Sequence, residues 1–147
     1  MCLIVVGWRV HPEYPLVLAA NRDEFYARPA QPLQWWNQTT GASDILAGRD
    51  LQAGGTWLGV SRSGRLAAIT NHRDPAKQRA DAPSRGELVS GFLNSNTSAN
   101  DYLHTLAPSA QNYNPFNLLV FDGAHLMGLE SRHAKVMVMQ PGIGAVS

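Results

Sequence analysis

The sequence has one cysteine, almost no excess of charge of either sign and no long apolar run. A single cysteine cannot form a disulfide within the chain, which excludes a disulfide-stapled scaffold and favours a reducing compartment. The formal net charge of +1 and the lack of a basic block argue against nucleic acid as the main partner. No apolar run approaches the ~20 residues of a spanning helix, and the short run at residues 3–8 lacks the flanks of a signal peptide. We therefore expect a cytoplasmic protein without a membrane span.

The composition is that of a globular protein. Hydrophobic residues make up 44% and charged residues 16% of the 147 residues, which is enough apolar material for a buried core. The length corresponds to one domain, so we expect residues 1–147 to form a single domain.

Two apolar segments near the start of the chain predict a β-hairpin. Residues 3–8 are rich in β-branched side chains, and we expect a strand buried on both faces. Residues 11–15 contain two prolines and predict a turn, and residues 16–20 predict the returning strand. Such a hairpin brings Cys2 close to the polar segment that follows the second strand.

That polar segment, Asn21 to Glu24, is the first candidate for chemistry. In an extended chain Arg22 and Glu24 point to one face and Asn21 and Asp23 to the other. A strand end with two carboxylates, a guanidinium and an amide suits a reactive site, although a solvated end with a surface ion pair is the simpler interpretation.

The remaining pattern predicts an α+β layered domain. Residues 25–53 read as a loop with a short strand at 45–48. Gly54-Gly55 is a breaker, and Ser63-Gly64 joins two strands as a hairpin turn. Two helices begin at the capping boxes of Ser84 with Glu87 and of Ser98 with Asp101. The predicted strands after Gly55 are residues 56–61, 66–71, 116–121, 126–130 and 136–139.

Cys2 has the strongest chemical case. Removal of the initiator methionine would expose an α-amine, whose reference pKa is ~7.7–8.0, on the residue that carries a thiol of pKa ~8.5. An N-terminal nucleophile activated by its own amine is a known catalytic arrangement. Arg22 could stabilise the thiolate, Asp23 could orient the amine, and Asn71 could donate to an oxyanion. The alternative is that Cys2 is a small apolar residue at a strand start.

Other candidates carry less weight. The five histidines show no metal-ligand spacing, so we expect no metal site. Arg73 beside Asn71 could bind a substrate anion, although a surface ion pair with Asp74 is as reasonable. Gly142 and Gly144 lack the third glycine and the helix of a nucleotide-binding loop.

The motifs together resemble a known family. The segments Met1-Cys2-Leu3-Ile4-Val5, Asn21-Arg22-Asp23-Glu24, Gly54-Gly55-Thr56-Trp57, Thr70-Asn71-His72-Arg73 and Ser84-Arg85-Gly86-Glu87-Leu88 resemble the NRDE family, also called the transport and Golgi organisation 2 (TANGO2-like) family. That family is similar to the N-terminal nucleophile (Ntn) hydrolases of the choloylglycine hydrolase type, which implies an αββα sandwich. Family members are longer, so the resemblance implies an incomplete sandwich and the N-terminal portion of the family domain.

The resemblance also implies roles for residues. Cys2 would be nucleophile and base, Arg22 and Asp23 would support it, and Asn71 would contact the substrate or oxyanion. Further substrate contacts are expected from Asn21, Glu24, Trp57 and Arg73. The hydrolases separate the residues that correspond to the adjacent Arg22 and Asp23, so the spacing differs here.

Two functions follow from the residues and the resemblance together. The first is hydrolysis of a non-peptide amide bond through an acyl-enzyme on Cys2, without a cofactor. The second, which only the family resemblance implies, is a non-catalytic protein that handles haem or a lipid or acyl-CoA, with haem as a transported ligand. Hydrolysis requires an activated Cys2 and an oxyanion pocket, whereas carriage requires an apolar cleft of ligand size.

Overall fold

A computed structural model describes residues 2–38, 41–72 and 78–147. In the described residues a run of strands is followed by two helices and then by further strands, an order that confirms the α+β class. In chain order they are β1 (Leu3–Trp8), β2 (Leu16–Asn21), β3 (Ala30–Gln38), β4 (Gly41–Asp50), β5 (Leu58–Ser61), β6 (Leu66–Asn71), α1 (Gly86–Asn94), α2 (Ala99–Leu106), a 3₁₀ segment (Ala107–Asn112), β7 (Phe116–Phe121), β8 (Leu126–Glu130), β9 (Lys135–Val138) and β10 (Gly142–Val146).

The strands form two antiparallel sheets. The small sheet has three strands in the order β10-β1-β2, and the large sheet has seven in the order β3-β4-β5-β6-β7-β8-β9. All pairings in the large sheet join strands that are consecutive in the chain, so it is an antiparallel meander. β1 lies in the centre of the small sheet and pairs with β10 from the end of the chain.

The large sheet is covered on both faces, and the side chains of its central strands point alternately to one covered face and the other. On one face, Ile69 and Leu118 pack with the buried side of α1, including Phe92. On the other face, Ala68 and Leu119 pack with inward side chains of the small sheet. Successive side chains along β6 and β7 point to opposite faces, so alternate residues pack into two different hydrophobic cores. The described residues thus form three layers: the small sheet, the large sheet and the helices.

Strand β1 differs from the prediction that both of its faces are buried. Ile4, Val6 and Trp8 are buried against the large sheet, whereas Leu3 is 40% and Val5 37% exposed. The reason is that the small sheet has the large sheet on one face only within the described part of the chain. An apolar composition alone could not reveal this alternation.

The prediction of a loop over residues 25–53 was wrong. Long strands β3 and β4 occupy most of this segment and pair with each other. Pro32 fits because β3 is an edge strand, and the ladder shifts register between Gln31 and Gln34. Trp36 and Ile45 bury these strands against the helix-side core.

The predicted β1–β2 hairpin and the predicted β5–β6 hairpin are confirmed. β1 pairs with β2, and β5 pairs with β6 through a turn in which Gly64 has a φ of 79°. Asp122 and Gly123 join β7 to β8 as expected. β10 was not predicted: its Gly-rich sequence carries no apolar alternation, and it is held by its ladder with β1.

The helix starts agree with the prediction in one case only. Ser98 caps α2, because its hydroxyl accepts the Asp101 N–H at 3.0 Å. At α1 the predicted cap, Ser84, accepts the Gly86 N–H at 3.3 Å, but the predicted box with Glu87 is not formed, since α1 begins at Gly86 and the residue before it makes no side-chain capping bond. Glu87 instead accepts a hydrogen bond from the Tyr113 hydroxyl at 2.8 Å, so its carboxylate is engaged outside the helix.

Candidate functional site

The β1–β2 hairpin places Cys2 beside the polar segment, as the sequence predicts. Leu3 lies opposite Asn21 in the ladder, so the residue before Leu3 faces the residues just after β2. The Asp23 N–H donates to Cys2 Sγ at 3.4 Å, and Sγ lies 3.9 Å from the Asp23 carbonyl oxygen. Both contacts hold the Cys2 side chain against the backbone of Asp23.

A cavity of about 770 Å³ opens at this end of the molecule, and Cys2 forms part of its wall. Arg22 and Glu24 enter it from the end of β2, and Asn71 enters it from the end of β6. The wall therefore combines side chains from both sheets. Five of the residues predicted from the sequence line it together: Cys2, Arg22, Glu24, Trp57 and Asn71.

The other three predicted residues are placed differently. Asp23 contacts Cys2 through its backbone, and its side chain is on the exposed face of the segment. Asn21 is exposed at the end of β2. Arg22 and Glu24 thus share one face and Asn21 and Asp23 the other, which is the predicted alternation. Arg73 lies outside the described residues.

The carboxylates of the cavity are engaged by neighbouring arginines. Glu24 lies 3.7 Å from the Arg22 guanidinium and 3.9 Å from that of Arg28. Arg28 makes a closer pair with Asp50, at 2.7 Å. Burial by itself would raise the pKa of Asp50, but the hydrogen bond from Arg28 and the backbone N–H groups of Gln52 and Ala53 outweigh it and lower that pKa.

Two further arginines of the wall are used by the fold. Arg49 donates to the Gly54 carbonyl oxygen at 3.1 Å, and its guanidinium lies over the Trp36 ring. Arg79 donates to the carbonyl oxygens of Gln111 and Asn112 at the end of the 3₁₀ segment. The Arg79 contacts close the carbonyl end of that segment, and the Arg49 contacts join the end of β4 to the turn after it, so we regard both side chains as structural.

Arg85 is the wall residue that the sequence reasoning missed. It is partly buried, and its Nη1 donates to the Pro115 carbonyl oxygen at 3.0 Å. Within the described part of the chain it forms no ion pair. Burial lowers the pKa of Arg85, as does the nearby Arg28, whereas Glu24 and Cys2 act in the opposite direction. The sequence pattern around Arg85 predicts a helix start and gives no signal that this side chain lines a cavity.

A close approach of two backbones fixes the position of Arg85. A Cβ on Gly55 would lie 2.6 Å from the Gly86 carbonyl carbon, so only glycine fits there. A Cβ on Gly86 would lie 3.1 Å from backbone atoms of Thr56. The Thr56 N–H also donates to the Gly86 carbonyl oxygen at 3.4 Å. The Gly54-Gly55 breaker thus serves to seat the start of α1 against the cavity.

Comparison with known proteins gives the family. The family model described as Transport and Golgi organisation 2 matches residues 1–147. The chain belongs to the Transport and Golgi organisation 2 family. It is 43% identical over 129 residues to the Transport and Golgi organization 2 homolog of Mus musculus and 40% identical over 129 residues to that of Homo sapiens. Each match covers 83% of this chain and 45% of the relative.

A more distant member of the Transport and Golgi organisation 2 family gives a longer match. The chain is 30% identical over 151 aligned residues to the Drosophila melanogaster protein, covering 95% of this chain and 50% of that protein. The chain thus spans about half the length of these curated relatives.

No described helix is both long and apolar enough to cross a membrane. In the described ranges, no cluster of three or more His, Cys, Asp or Glu side chains is arranged to hold a metal ion.

Proposed function

We propose that the chain carries the nucleophilic part of an amide hydrolase of N-terminal nucleophile type, with Cys2 as the nucleophile after removal of Met1. The observation that carries the proposal is the position of Cys2 Sγ, 3.4 Å from the Asp23 N–H on the wall of a cavity that Asn71 and Arg22 also line. The three layers are compatible with part of an αββα sandwich, and the proposal includes that fold assignment.

The proposed reaction has two steps. The α-amine of Cys2 takes the thiol proton as Sγ attacks the amide carbonyl carbon, and the resulting oxyanion accepts a hydrogen bond from the Asn71 amide. The C–N bond then breaks, the amine leaves with the proton, and a thioester remains on Cys2. Water attacks the thioester, which releases a carboxylic acid and restores the thiol.

Arg22 and Asp23 have supporting roles in this proposal. The Arg22 guanidinium favours the thiolate, and the Asp23 N–H donates to it. Glu24 holds Arg22 at 3.7 Å, so that the guanidinium stays in the wall. Trp57 offers an apolar surface for the acyl group. Asn21 stays a proposed substrate contact, and so does Arg73, which lies outside the described residues.

A panel of aryl amides tests this function. We expect hydrolysis by the wild-type protein, none by Cys2→Ala, and a drop of roughly 10²- to 10³-fold in kcat for Asn71→Ala, which removes the oxyanion donor. Cys2→Ser preserves a small second residue for methionine removal and serves as the matched control. Intact mass during turnover should reveal an adduct of the acyl group on the wild-type protein. Hydrolysis that persists in Cys2→Ala would exclude Cys2 as the nucleophile.

Ligand carriage is the second candidate, and the size of the cavity favours it. A volume of about 770 Å³ lies in the range of small-molecule sites. The names of the mouse and human relatives refer to transport and Golgi organisation, which suits a protein that handles haem or a lipid or acyl-CoA. Incubation with haem or an acyl-CoA, followed by mass analysis of the recovered ligand, separates the candidates. Carriage predicts saturable binding that Cys2→Ala retains and a ligand recovered intact.

A further inference from the structure

We propose that Arg85 is the anion-binding group of the cavity and that the substrate carries a carboxylate or phosphate close to the bond that Cys2 attacks. This inference deepens the proposed function and rests on it for the identity of the nucleophile. The binding of an anion by Arg85 does not itself require that Cys2 be catalytic.

The first observation is the surplus of positive charge in the wall. Arg22, Arg28, Arg49, Arg79 and Arg85 line the cavity, while Glu24 and Asp50 are the carboxylates among its described lining residues. Arg28 forms an ion pair with Asp50, and Glu24 lies within ion-pair distance of both Arg22 and Arg28. The described part of the cavity wall therefore keeps an excess of positive charge after its internal ion pairs are formed.

The second observation is the difference between Arg85 and the other cationic wall residues. Arg22 and Arg28 have carboxylate partners, and Arg79 donates to two carbonyl groups of the 3₁₀ segment. Arg85 uses one nitrogen for the Pro115 carbonyl and has no ion pair in the described ranges. A guanidinium has five N–H donors in a planar fork, so most of those of Arg85 stay available to a planar or tetrahedral anion.

The third observation is that Arg85 is held in place rather than mobile on a long side chain. The Pro115 carbonyl fixes one end of the guanidinium at 3.0 Å. Its backbone is fixed by the close approach of Gly55 and Gly86, which leaves no room for a Cβ on Gly55. A partly buried and preorganised guanidinium binds an anion more strongly than an exposed one, because less freedom is lost and water competes less.

Two alkylating reagents of nearly the same shape test the inference on the intact protein. Iodoacetate carries a carboxylate and iodoacetamide is neutral, and each forms a C–S bond to Cys2 while iodide leaves and the thiol proton passes to the buffer. The iodoacetamide rate reports the reactivity of the thiol. The iodoacetate rate divided by the iodoacetamide rate reports the attraction of an anion, and this quotient is the ratio used below. We expect the ratio to exceed that of an N-terminal cysteine peptide by about 5- to 10-fold at low salt, the size of one close charge interaction.

Variants assign the effect to Arg85. Arg85→Met should lower the ratio to that of the peptide, and Arg85→Lys should restore part of it because the charge returns without the fork. Arg62→Met is the matched control, since Arg62 is an exposed arginine that pairs with Asp44 away from the cavity. A purely structural role for Arg85 would lower both rates together and leave the ratio unchanged. An unchanged ratio in Arg85→Met with a reactive Cys2 would overturn the inference.

A second measurement does not depend on Cys2 chemistry. Inorganic phosphate or succinate should raise the melting temperature of the wild-type and Cys2→Ala proteins, but not of Arg85→Met, with sodium chloride at equal ionic strength as the control. The anion with the larger effect indicates whether the ligand group is a phosphate or a carboxylate. If Cys2 proves inert while the Arg85-dependent shift persists, the hydrolase proposal fails and the anion site stands. If neither anion produces an Arg85-dependent shift, the anion site fails.

Discussion

Residues around Cys2 divide into those that shape the cavity and those that face its contents. Asp50 belongs to the first group: it accepts hydrogen bonds from Arg28 at 2.8 Å and from the N–H groups of Gln52 and Ala53 at 2.9 and 3.2 Å. It thereby joins the segment after β2 to the turn after β4. Arg85 belongs to the second group, because most of its donors are not used by the fold.

The Asp50 network gives a stability prediction with a defined pH dependence. Asp50→Ala should cost about 2–3 kcal/mol, because charge-assisted and turn hydrogen bonds are lost together. The pKa of Asp50 is lowered in the folded protein, so its contribution is present above the unfolded value of ~3.9 and is lost as the pH falls through the folded value.

Thermal unfolding at pH 7 and at pH 3 checks this prediction. Asp50→Ala should lower the melting temperature by roughly 4–10 °C at pH 7 and by less at pH 3. Asp50→Asn is the matched control, because its amide oxygen can still accept from Gln52 and Ala53, so it should lose only part of the effect. Equal losses for Asp50→Ala at both pH values would contradict the role given to the carboxylate.

The strands bring distant parts of the sequence to the cavity. Some of these strands are predicted by the sequence pattern and others are not. The β1–β2 hairpin and the β5–β6 hairpin follow from apolar runs and turn residues, and the first of them predicts that Cys2 lies close to Arg22 and Glu24. β3 and β4 were missed because Pro32 and two register shifts break the alternation along the pair. β10 was missed because its backbone ladder, rather than its side chains, makes it a strand.

Arg85 was also beyond the reach of sequence patterns. A Ser-x-x-Glu segment before an apolar run predicts a capping box, and that pattern says nothing about the contacts of Arg85. Glu87 bonds to Tyr113 instead, from a part of the chain 26 residues away. The decisive contact of Arg85, with Pro115, spans 30 residues, and such contacts depend on how α1 packs against the large sheet.

Gly55 offers a prediction about the contact between a loop and a helix start. Gly55→Ala would place a methyl group 2.6 Å from the Gly86 carbonyl carbon, and we expect a loss of about 1–3 kcal/mol from overpacking. The melting temperature should fall by roughly 3–10 °C. The same change should also weaken the Arg85-dependent response to phosphate or succinate, because Arg85 precedes Gly86.

Gly144→Ala is the control for that experiment. Gly144 lies on an exposed strand, and the nearest atom to its added Cβ would be a Val6 side-chain carbon at 4.0 Å. The substitution should change the melting temperature by less than about 2 °C. If Gly55→Ala is as stable as Gly144→Ala, the close approach of Gly55 and Gly86 does not limit the position of the helix.

At the scale of the whole molecule, the three layers explain why the site lies where it does. The small sheet packs Ile4 and Trp8 against Leu119 and Phe121 of the large sheet, with the Trp8 and Phe121 rings edge to face at 5.5 Å. This packing sets the start of β1 near the end of β6, so Cys2 and Asn71 line the same cavity. The predicted strands and helices were enough to give the α+β class. The number and order of the layers depend on which strands pair with each other, and the sequence pattern does not encode that pairing.

The central claim is that Cys2 is a processed and activated nucleophile, and intact mass spectrometry before and after iodoacetamide at neutral pH tests it most directly. The account predicts a mass without Met1 and a single fast alkylation, with an apparent thiol pKa below the ~8.5 of an ordinary cysteine. Cys2→Ala, measured alongside, should take up no reagent. Retained Met1, or a Cys2 that reacts only after the protein is unfolded, would contradict the hydrolase proposal and leave ligand carriage as the working function.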